Sequence, residues 1–299
     1  SLIPYGISSF SVPDFSKSNK INGNINSGFD AKVGVTSSLN LDITFNPDFS
    51  QVEVDRQVTN LSRFSIFYPE KRNFFIENSD LFAQFGFRQI RPFFSRQIGL
   101  NNGNVIPIIG GVRLSGKINE NWRIGIMNMQ TKAIDTLNVP SENYSVCAIQ
   151  RKMFSRSNLE FIFVNRQAYN SYQTDVNDYN RCGGPEFDLQ TANNKLVGKI
   201  FYFRSFNNSS STDAITHASW LLYKGHRLSW EWNHEYLGEN FIADVGFTPR
   251  LYNYDAKNNV VNRKSYWRYE PVFNYYFYPK SKSISYIDNE LHGSLYLDK

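Results

Sequence analysis

The sequence predicts an all-β fold, a transmembrane antiparallel β-barrel of roughly a dozen strands, and three observations carry that expectation. Aromatic residues make up 16% of the 299 residues while the mean hydropathy is -0.45, so large apolar rings coexist with a generally polar chain. Period-two alternation recurs along the sequence, and on a strand it sends successive side chains to opposite faces. No stretch approaches the roughly 18 consecutive apolar residues of a membrane helix, so a crossing of the bilayer has to use a closed sheet.

Taken in order, Leu39, Leu41, Ile43 and Phe45 alternate with Asn40, Asp42, Thr44 and Asn46. Leu159, Phe161 and Phe163 stand opposite Glu160 and Arg166. Leu228, Trp230, Trp232 and Tyr236 alternate with Arg227, Ser229, Glu231, Asn233 and Glu235. Trp267, Tyr269, Phe273, Tyr275 and Phe277 face away from Arg268, Glu270 and Asn274. Runs at 28–46, 106–131 and 195–206, split at turns, supply the roughly 9 to 11 residues that a tilted barrel strand needs. Asn-, Ser-, Gly- and Asp-rich pieces at 101–104, 169–184, 207–213 and 253–263 read as turns or loops between strands.

One region breaks the period. Val58, Leu61, Phe64 and Phe67 recur every three residues ahead of Pro69-Glu70-Lys71-Arg72, which predicts a short helical or irregular excursion over 55–67. The wider segment 55–82 is therefore expected as a plug inserted into the lumen of a barrel domain spanning 1–299. Leu295 to Asp298 continue an alternating strand, so the barrel is expected to stop short of closure and to need further strands.

Composition narrows the function classes. The net charge of +5 is spread out and interleaved with acids, without a basic stripe or base-stacking motif, so nucleic acid is not an expected partner. Cys147 and Cys182 are too few for a disulfide scaffold and lack metal-site spacing, leaving one bridge open. The opening Ser1-Leu2-Ile3-Pro4-Tyr5 has no basic region followed by an apolar stretch.

Several words in the sequence carry a resemblance. LDITFNPDFSQVEVD at 41–55, FYPEKRNFFIENSDLF at 67–82, FFSRQIGL at 93–100, IGGVRLSGKI at 109–118 and VGFTPR at 245–250 together resemble an uncharacterised family of Bacteroidota outer-membrane proteins. In that family a carbohydrate-binding-module-like domain of the family-nine type precedes a predicted β-barrel. The resemblance implies the cell outer membrane of a Gram-negative bacterium, with Pro4-Tyr5 near the junction where the barrel begins. It implies no catalytic residues.

Candidate sites follow from the residues. Gly111 to Lys117 fits the first seven positions of a phosphate-binding loop, but Ile118 stands where Ser or Thr should bind magnesium, and the segment reads as a strand. Asp48, Glu53 and Asp55 form an acidic patch. On a strand Glu53 and Asp55 would lie about 6.6 Å apart, a separation that glycosidase carboxylates use, although acids in a barrel lumen ordinarily pair with bases such as Arg56, Lys71 or Arg72. Glu231 and Glu235, about 13 Å apart along one strand, are too distant for that chemistry and read as lumen lining. His217, His226, His234 and His292 lack metal-ligand spacing within one element. The PEKRNFFIEN stretch sets Glu70, Lys71, Arg72 and Glu77 around Phe74 and Phe75, as a plug bonded to the lumen wall or a contact surface for another protein.

The function expected is an outer-membrane β-barrel acting as scaffold, passage or component of an envelope complex, possible partners being lipid, other envelope proteins and glycans. No cofactor, metal or catalytic residue is predicted. The competing expectation is a β-rich polysaccharide hydrolase acting through Asp48, Glu53 or Asp55, or a sugar-binding protein.

Overall fold

The computed structural model describes residues 1–11, 22–47, 67–101, 103–170, 173–209, 212–248, 252–255, 260–280 and 282–298. The strands are β1 (Leu2–Ser11), β2 (Asn22–Gly34), β3 (Leu39–Phe45), β4 (Leu100–Asn101), β5 (Asn104–Val105), β6 (Ile108–Lys117), β7 (Trp122–Thr131), β8 (Ser141–Met153), β9 (Ser157–Asn170) and β10 (Gln173–Gln190). They continue with β11 (Leu196–Asn207), β12 (Ile215–Lys224), β13 (Leu228–Leu237), β14 (Tyr252–Asp255), β15 (Val260–Arg263), β16 (Tyr266–Tyr269), β17 (Val272–Phe277), β18 (Ile287–His292) and β19 (Leu295–Asp298).

A 15-stranded antiparallel sheet runs in the order β1-β2-β3-β6-β7-β8-β9-β10-β11-β12-β13-β16-β19. Apart from the insertion that carries β4–β5, each strand from β1 to β13 pairs with the next, as a meander does, and β13 pairs with both β16 and β17. β17 and β18 extend the last two positions, with β17 beside β13 and β18 beside β17. Among the described residues β1 does not pair with β18 or β19, so the sheet is not closed. The fold is thus all-β and antiparallel, as the alternation predicts.

Local chemistry explains the turns on one edge of the meander. Asn119 Oδ1 accepts hydrogen bonds from the amides of Asn121 and Trp122, at 2.9 and 3.0 Å, which closes the β6–β7 hairpin. Asn193 Oδ1 does the same for Lys195 at 3.0 Å, and Asn194 takes the left-handed conformation at φ 56° that Asn tolerates. Connections on this edge are short at 35–38, 118–121, 154–156, 191–195 and 225–227, with 278–286 the longer one. The opposite edge carries the long ones, including 46–107 and 238–265.

The expected loop at 169–184 is corrected here. β9 continues to Asn170 and β10 starts at Gln173, so most of that polar stretch is strand. Backbone pairing overrides the turn-forming side chains, and the ladder absorbs them through a register shift between the Thr174 and Tyr179 pairs. The 253–263 piece likewise holds a small hairpin, β14–β15. The predicted excursion over 55–67 lies, but for Phe67, outside the described residues.

The two faces of the sheet differ. One is covered by residues 67–101, whose Phe75, Leu81, Phe82, Phe85, Ile90, Phe93 and Ile98 join one buried cluster with Met127, Met129, Val146, Ile162, Val164, Phe201 and Phe203 from the strands. The other face is bare. Ile126, Leu159, Phe161, Phe163, Ile200, Tyr202, Phe273 and Phe277 are all exposed there, and on β9 Phe163 is 39% accessible while its neighbour Ile162 is 0%.

Two short helical turns, Asn73–Ile76 and Asp80–Ala83, give the covering segment its only α-helix among the described residues. Phe82 presses into the gap above Gly125, where an added Cβ would meet the ring at 2.6 Å. The two cysteines are free and sit on opposite faces. Cys182 is buried, and Cys147 pairs across the ladder with Phe163, so a bridge between them is excluded.

Candidate functional site

Asp48, Glu53 and Asp55 lie outside the described residues. The other four candidates lie in the covering segment. Glu70 accepts from Arg72 Nε at 2.8 Å and from Arg72 Nη2 at 2.7 Å, a fork of the kind that guanidinium and carboxylate geometry favours. The Ser95 hydroxyl adds a bond at 2.7 Å, and the amides of Lys71 and Arg72 donate at 3.0 Å each. Burial pushes the Glu70 carboxyl up, but the bonds and charge of Arg72, aided by Ser95, outweigh it and hold the group below the usual carboxylate value.

Arg72 is itself buried. It donates to the carbonyls of Ile98 and Ser95 at 2.7 Å and lies 4.2 Å from the Phe75 ring centroid. Glu70 and Arg72 therefore tie the two ends of the covering segment together, which is structural work. Glu77 instead reaches the sheet. It pairs with Lys32 of β2 at 2.7 Å and lies 3.5 Å from Arg113 of β6.

Arg113 is the centre of that contact, although the sequence reading gave it no role beyond the rejected phosphate loop. Only 1% exposed, it bonds Asp42 of β3 at 2.7 Å and donates to the backbone carbonyls of Phe74 and Glu77. Arg123–Asp80 at 2.7 Å and Asn78–Ser115 at 3.1 Å extend the attachment. The segment is thus bonded to the sheet by charges as well as packed against it. The signal in the sequence was Asp42 and Arg113 occupying apolar-flanked positions in alternating strands.

A second attachment sits farther along the sheet. Glu186 accepts the Gly86 amide at 2.6 Å, while Lys199 Nζ bonds Glu186 at 2.5 Å and the Gln84 carbonyl at 2.7 Å. Gly86 adopts φ +75°, and a Cβ there would fall 2.0 Å from the Ile90 carbonyl oxygen, so the turn needs glycine. Glu160, Glu186 and Asp188 offer carboxylate oxygens within 4.8 Å of one another, the grouping a hard cation would use. Lys199, which also lies 3.5 Å from Asp188, already supplies a cation to that group.

Between this attachment and the strands from β9 to β16 lies a chamber of about 830 Å³. Glu231 and Glu235 both line it, together with Arg88, Arg156, Lys199, Trp220 and Arg268. Glu235 bonds Arg268 at 3.0 Å and Tyr266 at 3.1 Å, and Glu231 accepts the Trp220 indole N–H at 2.5 Å. The histidines divide. His217 and His234 meet on the bare face with ring centroids 5.1 Å apart, flanked by Trp267 at 5.3 and 5.6 Å. Two imidazoles among aromatic rings are an aromatic cluster, one short of the three ligands that a protein-bound zinc takes.

These features define a class: an antiparallel all-β sheet protein with an inserted segment bonded across one face and a polar chamber beside it. Residues 1–291 match a domain of unknown function, DUF5916, and the chain belongs to that family. No curated protein matches the sequence. Among solved structures, the crystal structure of Acinetobacter baumannii OccAB2 is similar at 11% identity and a TM-score of 0.32, the alignment covering 100% of this chain and 81% of that one.

Proposed function

We propose that this chain is an outer-membrane β-barrel whose lumen is occupied by residues 67–101, acting as a scaffold or a gated passage within an envelope assembly. The observation that carries the reading is the bare face. A protein in water leaves few contiguous apolar patches uncovered, yet here Phe, Ile, Leu and Trp side chains of successive strands stand exposed while charged groups are turned inward and paired. That inversion is what lipid on one side and a polar lumen on the other require.

The connections support the same reading, because outer-membrane barrels have short turns at the periplasmic rim and long loops outside. On that basis the short edge faces the periplasm and the plug enters from the outer side. The reading requires the backbone edges at β1 and at β18 and β19 to be paired, since an open edge in lipid leaves backbone groups unsatisfied. No helix among the described residues is long and apolar enough to cross a membrane. The bacterial phylum and the preceding sugar-binding module implied by the sequence resemblance belong to the same proposal, and with them a link to glycans.

Expression of the full protein in a Gram-negative host, followed by membrane fractionation without detergent, tests it. The protein should stay with the outer-membrane pellet through an alkaline carbonate wash and shift in gel mobility on boiling. Recovery in the soluble fraction would sink the proposal.

A further inference from the structure

We infer that the 830 Å³ chamber beside the plug tip is a binding site for a small solute bearing a carboxylate, of which a uronic acid is the type, held by Arg88 and Arg156. The inference rests on reading the covered face as a lumen.

The charges of the chamber decide the ligand. Lys199 is neutralised by Glu186 and Asp188, at 2.5 and 3.5 Å, and Arg268 by Glu235 and Glu270. Two cations remain. Arg88 forms no ion pair or hydrogen bond among the described residues, and Arg156 bonds only the neutral Asn194 amide oxygen, at 2.6 Å. Against them stands Glu231, one of whose oxygens already accepts from Trp220. Arg88 and Arg156 are therefore the two lining cations without an acidic partner among the described residues, and guanidinium groups take a carboxylate in a two-bond fork.

The site is built in advance of a ligand. Arg88 occupies a corner of a tight turn fixed by reciprocal Phe87–Ile90 backbone bonds of 3.0 and 2.9 Å, and that turn is clamped to the wall through Gly86 and Glu186. Arg156 lies in the short turn between β8 and β9. The volume falls within the range of small-ligand sites, roughly 300 to 1,000 Å³, and Trp220 adds the apolar surface on which a sugar ring can rest.

Isothermal titration of the full chain in detergent micelles with sodium galacturonate, galactose and galactosamine tests this. Galacturonate should bind at least about tenfold more tightly than galactose, and galactosamine no better than galactose. Arg88→Ala and Arg156→Ala should each weaken galacturonate by about tenfold, the pair should remove binding, and Arg88→Lys should recover part of it. Neither arginine is tied into the core, so the variants should fold, which circular dichroism checks. Absence of galacturonate binding, equal binding of galactose, tighter binding of galactosamine, or galacturonate binding indifferent to both variants would each overturn the inference. If the protein proves soluble, the titration runs in plain buffer, so the chamber and the membrane reading fail separately.

Discussion

At the scale of single residues, Arg113 and Glu70 do different kinds of work. Arg113 is buried on its strand, so Asp42, the carbonyls of Phe74 and Glu77 and the nearby Glu77 carboxylate compensate its charge. Arg113→Ala leaves Asp42 buried and unpaired, and the cost should be about 3–5 kcal/mol, read as a lowered denaturation midpoint for the detergent-solubilised protein. Arg113→Met together with Asp42→Leu removes both charges and should recover most of that loss. Glu70 gives the pH dependence. Its folded carboxyl titrates below the ordinary range, so its contribution is present above the unfolded value and is lost as pH falls through the lowered one. Protection of segment 67–101 from protease should therefore decline in acid below about pH 4.5, the ordinary carboxylate value, and Glu70→Gln should show the loosened state already at neutral pH.

At the scale of elements, the covering segment 67–101 is held to the sheet both by packing and by ionic clasps, and each can be broken alone. Gly125→Leu drives a side chain into the buried Phe82 ring and should cost about 1–3 kcal/mol by overpacking. The expected result is a new protease cut within 67–101 while the strand signal in circular dichroism persists. Loss of the strand signal as well would mean that plug and sheet form one cooperative unit. The strands themselves were legible in the sequence because period two survives wherever one face is apolar, as in Leu39 to Phe45. β10 was not, since Asn180 and the Gly183-Gly184-Pro185 run look like a loop to local chemistry, and only pairing with β9 and β11 makes them strand. The site was half legible for a related reason. Glu70, Arg72 and Glu77 are close in sequence, whereas Glu160, Glu186 and Lys199 come from three strands that meet only across the ladder.

At the scale of the whole molecule, the central claim is that the bare face meets lipid. Replacing Cys147 and Cys182 by Ser and placing single spin labels at positions 159 to 164 of β9 in the bilayer-reconstituted protein tests it directly. Accessibility to oxygen, which concentrates in hydrocarbon, should rise and fall with period two, high at 159, 161 and 163 and low at 160, 162 and 164, with a water-soluble nickel chelate excluded from the first set. A label at Phe161 or Phe163 that meets the nickel chelate as freely as an exposed residue in water, with no oxygen alternation along the strand, would contradict the account.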